Sequence, residues 1–242
     1  MCGRFALYTP PDRLARYFGA AVAEGTAEAY HASWNVAPTD LVLGVRDRPQ
    51  RPDPAEADAG GASERLVMTF RWGLVPWWSK DATSGSRLFN ARCETLATKA
   101  SFRDAFRARR IIVPADGFYE WHLAKTGRKQ PYYFTRADGT PLAFAGLAER
   151  WREKGAPEGT PYLRSCTVIT APAGADMEEI HDRMPVILDP TTFDVWLDPA
   201  NDDVEELRAL LRPPPAGTLV HHLVATRVGS VRNNDPSLIE SV

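Results

Sequence analysis

Residues 131–151 read PYYFTRADGTPLAFAGLAERW: two apolar, aromatic-rich runs on either side of Asp138-Gly139. An Asp-Gly pair between strand-like runs is the strongest short-range signal for a hairpin, so the stretch reads as two antiparallel strands folded at 138–139. Strand-like runs continue on both sides of it. RLVMTFRW (65–72) and RRIIVPADGFYEWH (109–122) precede it; SCTVIT (165–170), PVIL (185–188) and TLVHHLVA (218–225) follow. LVLGVR (41–46) is a further strand. The segment between it and RLVMTFRW, residues 47–64, is rich in Pro, Ala, Gly and charge, and reads as a mobile loop joining two paired strands. Helices are short. One spans Pro11 to Phe18 with Gly19 as its stop, one starts at Ser101 with Asp104 three residues on, and two acidic-capped helices fall near 190–197 and 203–211. Strands without regular βα alternation predict an α+β fold: one domain, a mostly antiparallel, barrel-like folded sheet with short flanking helices.

At 242 residues, 44% hydrophobic and 25% charged, the composition is that of a globular protein with ample core. No apolar run approaches the roughly 20 residues of a membrane span. The start of the chain lacks the apolar core of a secretory signal. Cys2, Cys93 and Cys166 are odd in number and lack CxxC spacing, which suggests neither a disulfide framework nor a zinc site. The expectation is a cytoplasmic monomer without membrane attachment, metal or cofactor. The net charge of −2 hides an uneven distribution: residues 65–136 carry 14 Lys+Arg against 5 Asp+Glu. Local charge steers a polyanion. A GC-rich genome would also raise arginine usage.

Five stretches put reactive or rigid groups in apolar surroundings. In MCGRFA (1–6), removal of Met1 would leave Cys2 with an α-amine and a thiol on adjacent carbons. Such a 1,2-aminothiol condenses with an aldehyde to a five-membered thiazolidine; an internal cysteine cannot. Arg4 beside it would lower the thiol pKa and attract a phosphate. Trp77 and Trp78, in WGLVPWWSKD (72–81), suit stacking on bases or a core lid. Asn90, Arg92 and Glu94 alternate in RLFNARCET (87–95) and share one face if the stretch is extended; Asn90 could orient a substrate oxygen and Arg92 a phosphate. Glu120 stands between Tyr119 and Trp121, where a carboxyl tends toward a raised pKa suited to acid–base work. His181, flanked by Asp182 and Arg183, is the natural proton shuttle. Solvent-facing polar residues are the bland reading of the Asn90–Glu94 alternation and of Glu120.

Together MCGRFA, WNVAPTD (34–40), WGLVPWW, FNARCET, ADGFYEW, FAGLAERW, CTVITAPA, IHDRMPVIL and VGSVRNND (228–235) resemble, in this order, the SOS response-associated peptidase (SRAP) family. The likeness covers residues 2–235. It implies a protein that senses abasic sites in single-stranded DNA and crosslinks to them through Cys2, associated with the nucleoid when bound. It further implies Asn90 and Glu120 acting at the ring-opened sugar and His181 as acid–base. Arg4, Pro38, Trp77, Trp78, Arg92, Thr170 and Arg183 fall at positions resembling DNA-contacting ones. Lyase and self-processing activities are also implied. A rival reading is an N-terminal-nucleophile amidohydrolase, whose members also begin Met-Cys-Gly, although here RFALYTPP runs on into proline.

Overall fold

The computed structural model describes residues 2–49, 63–123, 127 and 129–242. Thirteen strands run in chain order as β1 (Phe5–Leu7), β2 (Ala21–Val22), β3 (Ser33–Val36), β4 (Leu41–Pro49), β5 (Ser63–Trp72), β6 (Asn90–Arg92), β7 (Arg110–Ala115), β8 (Gly117–Leu123), β9 (Lys129–Arg136), β10 (Leu142–Trp151), β11 (Leu163–Pro172), β12 (Arg183–Pro185) and β13 (Leu219–Leu223). The α-helices are short: α1 (Pro11–Phe18), α2 (Thr26–Ala29), α3 (Arg103–Ala108), α4 (Phe193–Leu197) and α5 (Val204–Ala209). None is long and apolar enough to cross a membrane among the described residues.

The strands form two sheets. One is antiparallel, in the order β13-β9-β8-β1-β3. The other runs β12-β11-β10-β7-β4-β5-β2, and β5 also pairs in parallel with β11, Arg71 opposite Ser165 and Trp72 opposite Cys166, so five strands close into a ring. The short β6 lies parallel to β11, Asn90 opposite Val168 and Arg92 opposite Thr170. The result is the expected sheet-rich α+β domain.

The hairpin reading of 131–151 is corrected. The Asp138-Gly139 turn forms, with Gly139 left-handed at φ 73°, but its arms belong to different sheets: β9 pairs with β8 and β13, β10 with β7 and β11. Likewise 109–122 is two strands, β7 in the ring and β8 in the antiparallel sheet, with the chain crossing at Asp116. That carboxylate accepts the backbone N–H groups of Tyr8 and Thr9 at 2.6 and 2.8 Å. Turn chemistry is local, whereas strand partnership is decided by side chains meeting between the sheets. Phe5 and Phe118 from one sheet pack on Trp72 and Phe144 of the other, with ring centroids 5.0–5.9 Å apart, and Phe134 stacks on Phe118 at 4.9 Å.

Other boundaries shift modestly. Residues 47–49 and 63–64 extend the paired β4 and β5; the rest of the expected loop lies outside the described residues. Helix α1 and its left-handed Gly19 stop are as expected, as is the Asp203 cap of α5, which accepts from the N–H groups of Glu205 and Glu206. Helix α3 starts at Arg103 rather than Ser101 and has no side-chain cap. The strand expected at 185–188 is instead β12, with a lone bridge from Ile187 to Phe144.

Gly117, at the crossing between sheets, is held there by close approach. A Cβ at this position would lie 2.3 Å from the Tyr133 ring. Gly117→Ala should therefore cost about 1–3 kcal/mol of stability through overpacking, read as a lower midpoint in denaturant. An unchanged midpoint would show that Tyr133 yields freely.

Candidate active site at the buried cysteine

Strand β1 runs between β3 and β8, and the chain before it is drawn into the seam between the sheets. Cys2 is 0% exposed. Its carbonyl accepts a 2.6 Å hydrogen bond from the Asn90 side-chain amide. Asn90 is placed by its neighbour: the Trp72 indole N–H donates to the Phe89 carbonyl at 2.8 Å and the two rings pack edge-on. The Oδ1 of Asn90 is buried and has no hydrogen-bond partner among the described residues. A buried acceptor left unpaired is costly, so this oxygen is poised for a donor from outside.

Burial pushes the Cys2 thiol well above its usual range, and the Glu120 carboxylate pushes in the same direction. The expectation that Arg4 activates the thiol is therefore corrected. What favours the thiolate is the charge of the terminal amine and, after it, a hydrogen bond from the Arg4 backbone N–H. Its guanidinium donates to Asn35 Oδ1 at 2.7 Å and the Val228 carbonyl at 3.0 Å, and lies 6.0 Å from the Trp121 ring centroid. Asn35 in turn donates to the carbonyls of Val228, Ser230 and Asn233. The late VGSVRNND stretch thus clamps β3 and Arg4 in place.

Glu120 alternates with Tyr119 along β8 and shares the inner face with Phe118, while Tyr119 and Trp121 join a second apolar cluster on the other side. Its carboxyl is buried and titrates above the ordinary carboxylate range because burial disfavours the charge. The charge of nearby His181 opposes that rise, with Nε2 standing 3.9 Å from Glu120 Oε2. The other ring nitrogen, Nδ1, lies 2.9 Å from the Arg183 backbone nitrogen and 3.1 Å from the Arg183 carbonyl oxygen. Asp182 Oδ1 lies 3.0 Å from Nδ1, so an imidazolium would find a carboxylate on its far side.

The other expected contacts divide. Arg92 is exposed at the rim of a cleft of about 400 Å³ that Asn90, Lys99 and Phe102 also line. Trp77 and Trp78 are 62% and 53% exposed, so they are not core lids. Their loop is anchored by the Gly73 N–H to the Cys166 carbonyl and the Val75 N–H to Ser165 Oγ, at 2.7 and 2.9 Å. Gly73 has φ 128°, and a Cβ there would meet the Gly85 carbonyl at 2.5 Å. Pro38 is half-buried in a turn closed by the Asp40 N–H on the Ala37 carbonyl. Thr170, by contrast, is fully buried beneath that rim. It meets Arg183, whose guanidinium also donates to the Thr170 carbonyl at 2.8 Å. Arg183 is engaged as well by both oxygens of Glu94, which draws the Glu94 carboxyl down to about 2. The alternation of Asn90, Arg92 and Glu94 ends at Arg92, where the chain enters a 3₁₀ turn; the Glu94–Arg183 brace could not be read from the local pattern.

Fold and geometry together define a sheet-rich α+β protein with a cysteine-centred site at the start of its first strand. The family model described as SOS response associated peptidase (SRAP) matches residues 1–231, and the chain belongs to that family. It is 40% identical to "Abasic site processing protein YoqW" of Bacillus subtilis over the whole of both chains. It is 34% identical to "Abasic site processing protein HMCES" of Gallus gallus, over 99% of this chain and 77% of that one. Among solved structures, a Bacteroides thetaiotaomicron protein shares the fold at TM-score 0.82 and 23% identity, covering all of both chains. One from Bordetella bronchiseptica matches at TM-score 0.70 and 28% identity, over 93% of this chain and all of that one.

The raised Glu120 titration has a stability consequence. A carboxyl whose folded pKa lies above its unfolded value, about 4.3, costs the folded state stability as pH rises through the folded pKa. Glu120→Gln removes that cost. Its melting temperature should match wild type near pH 4 and exceed it increasingly toward pH 8; a difference constant with pH would contradict the burial argument.

Proposed function

We propose that the protein processes abasic sites in single-stranded DNA by forming a covalent crosslink through Cys2. The observation that carries the reading is the Asn90 amide holding the Cys2 carbonyl at 2.6 Å, with Glu120 close enough to Cys2 to raise its thiol. The names borne by the relatives in Bacillus subtilis and Gallus gallus point to the same lesion.

The chemistry starts from the sugar. An abasic deoxyribose is a hemiacetal in equilibrium with an open aldehyde, and opening it needs a proton moved. Glu120, whose burial favours the protonated form, and His181, with Nε2 3.9 Å from it, supply that transfer. After Met1 is removed, the Cys2 amine attacks the aldehyde carbon and water departs, giving an imine. The thiol sulfur then adds to the imine carbon while its proton passes to the ring nitrogen through Glu120, closing a thiazolidine. Aldehyde and aminothiol have lost one water in all. A thiol kept protonated by its surroundings fits this order, with the amine acting first and the sulfur closing the ring. Asn90 fixes Cys2 through its carbonyl, and its unpaired Oδ1 offers an acceptor to the amine or to a sugar hydroxyl. Such positioning is where intramolecular reactions gain most of their rate. The imine also acidifies the adjacent carbon, which accounts for an associated strand-cleaving activity.

DNA is held by the exposed rim. Arg92 and Lys99 take phosphates, and Trp77 and Trp78 stack on unpaired bases, with Pro38 alongside. Arg4, Thr170 and Arg183 brace the site beneath. Membership of this family leaves the amidohydrolase reading without support.

Mixed with an abasic single-stranded oligonucleotide, the protein lacking Met1 should give an intact mass equal to protein plus DNA less one water. Glu120→Gln and His181→Ala should fold and react about 10²–10⁴-fold more slowly; unchanged rates in both would remove them from the mechanism. Trp77→Ala/Trp78→Ala should erase the preference for single-stranded over paired abasic DNA. Equal crosslinking of both substrates by the wild type would contradict the stacking role.

A further inference from the structure

Far along the ring from Cys2 is a second concentration of charge. Residues 163–164 of β11 lie about 20 Å from Thr170 by the rise of the strand. Here a concave pocket of about 310 Å³ gathers Arg46 and Arg48 from β4, Arg109 just ahead of β7, Arg150 near the end of β10 and Arg164 at the start of β11. Its floor is apolar, with Leu66, Met68 and Phe70 of β5 and Ala148 of β10. Strands β4, β5, β10 and β11 of the ring contribute to it, with Arg109 from the approach to β7.

Three features are hard to explain as packing. Arg150 and Arg164 stand directly opposite each other in the β10–β11 ladder, an arrangement that destabilises a sheet. Arg46 is half-buried, and besides burial itself the charges of Arg150, Arg48, Arg164 and Arg109 all press its proton affinity down. The carboxylate in the lining, Glu149, is already engaged: Oε2 accepts from Arg109 at 2.8 Å and Oε1 from the Arg150 backbone N–H at 3.0 Å. Glu64, opposite Arg48 in the β4–β5 ladder, is exposed. Among the described residues, Arg46, Arg48, Arg150 and Arg164 have no ion pair. Arg150 is nonetheless held out: its guanidinium lies 5.5 Å from the Tyr162 ring centroid, with Arg152 at 4.8 Å from the same ring. Several guanidiniums without counter-charges among the described residues suit a multivalent oxyanion, because planar N–H pairs match phosphate oxygens.

We propose that this mouth of the ring is a phosphate-binding site, separate from the Cys2 centre, with Arg46 and Arg164 at its core. The phosphate can come from a free polyphosphate or nucleotide, or from the backbone of a bound strand.

Calorimetric titration with inorganic pyrophosphate at low salt tests it, comparing wild type, Arg46→Gln/Arg164→Gln and a surface control of equal charge change, Arg13→Gln/Arg16→Gln. The wild type and the control should bind, and the pocket variant should lose about tenfold or more in affinity. In phosphate-free buffer the pocket variant should melt no lower than wild type, since like charges have been removed; that melt also shows that it folds. Titration of a lesion-free single-stranded oligonucleotide then identifies the source. Competition between it and pyrophosphate assigns the pocket to backbone phosphates, and indifference assigns it to a free phosphate ligand. Absence of pyrophosphate binding by wild type, or equal affinity in all three proteins, would overturn the proposal.

Discussion

The structure depends on one constraint: the start of the chain is buried between two sheets. A chain end is ordinarily exposed and frayed. Drawing Cys2 to full burial requires a partner for its carbonyl, and Asn90 provides it. That demand places β6 along β11, which places Phe89 under Trp72 and the turn at Glu94 beside Arg183. It also sets β1 next to β8, in the register Phe5 with Phe118, so that Glu120, two residues further on, faces inward. The site is thus assembled from residues far apart in sequence by the way the first strand is packed.

Electrostatics follow from the same burial. Cys2 and Glu120 are both pushed toward their protonated forms, with His181 Nε2 3.9 Å from the carboxyl. Burial thus favours a thiol over a thiolate stabilised by a cation. The arginines around them serve mainly as braces. Arg4 holds the C-terminal clamp and Arg183 ties Glu94 to Thr170, while Arg92 keeps its charge at the rim. Residues that read alike as candidate phosphate ligands divide once it is known which of them already has a carboxylate or carbonyl to bind.

Much of this was legible in the sequence where the signal is local. The helix from Pro11 and its Gly19 stop, the pairing of β4 with β5 and the α+β class follow from periodicity, caps and turns. The Asp138-Gly139 turn was legible, but its consequence was not, because a turn says nothing about which sheet its arms join; the aromatic seam of Phe118, Phe134 and Phe144 decides that. Cys2, Asn90, Glu120 and His181 stood out by residue type and by resemblance, and the fold brings them together. The carbonyl-holding role of Asn90 and the pairing of Arg183 with Glu94 depend on contacts spanning nearly ninety residues. The arginine pocket was hidden for the same reason: its members are scattered from 46 to 164 and meet only when the ring closes.

The central claim is that the amine of Cys2, not its thiol alone, makes the bond to the lesion. The most direct measurement compares the protein with a variant carrying a bulky residue between Met1 and Cys2, which keeps the thiol but locks its amine in a peptide bond. Both are incubated with an abasic single-stranded oligonucleotide, heated and resolved by denaturing electrophoresis. A heat-stable adduct from the native protein and none from the folded variant is the predicted result. An equally heat-stable adduct from both would contradict it.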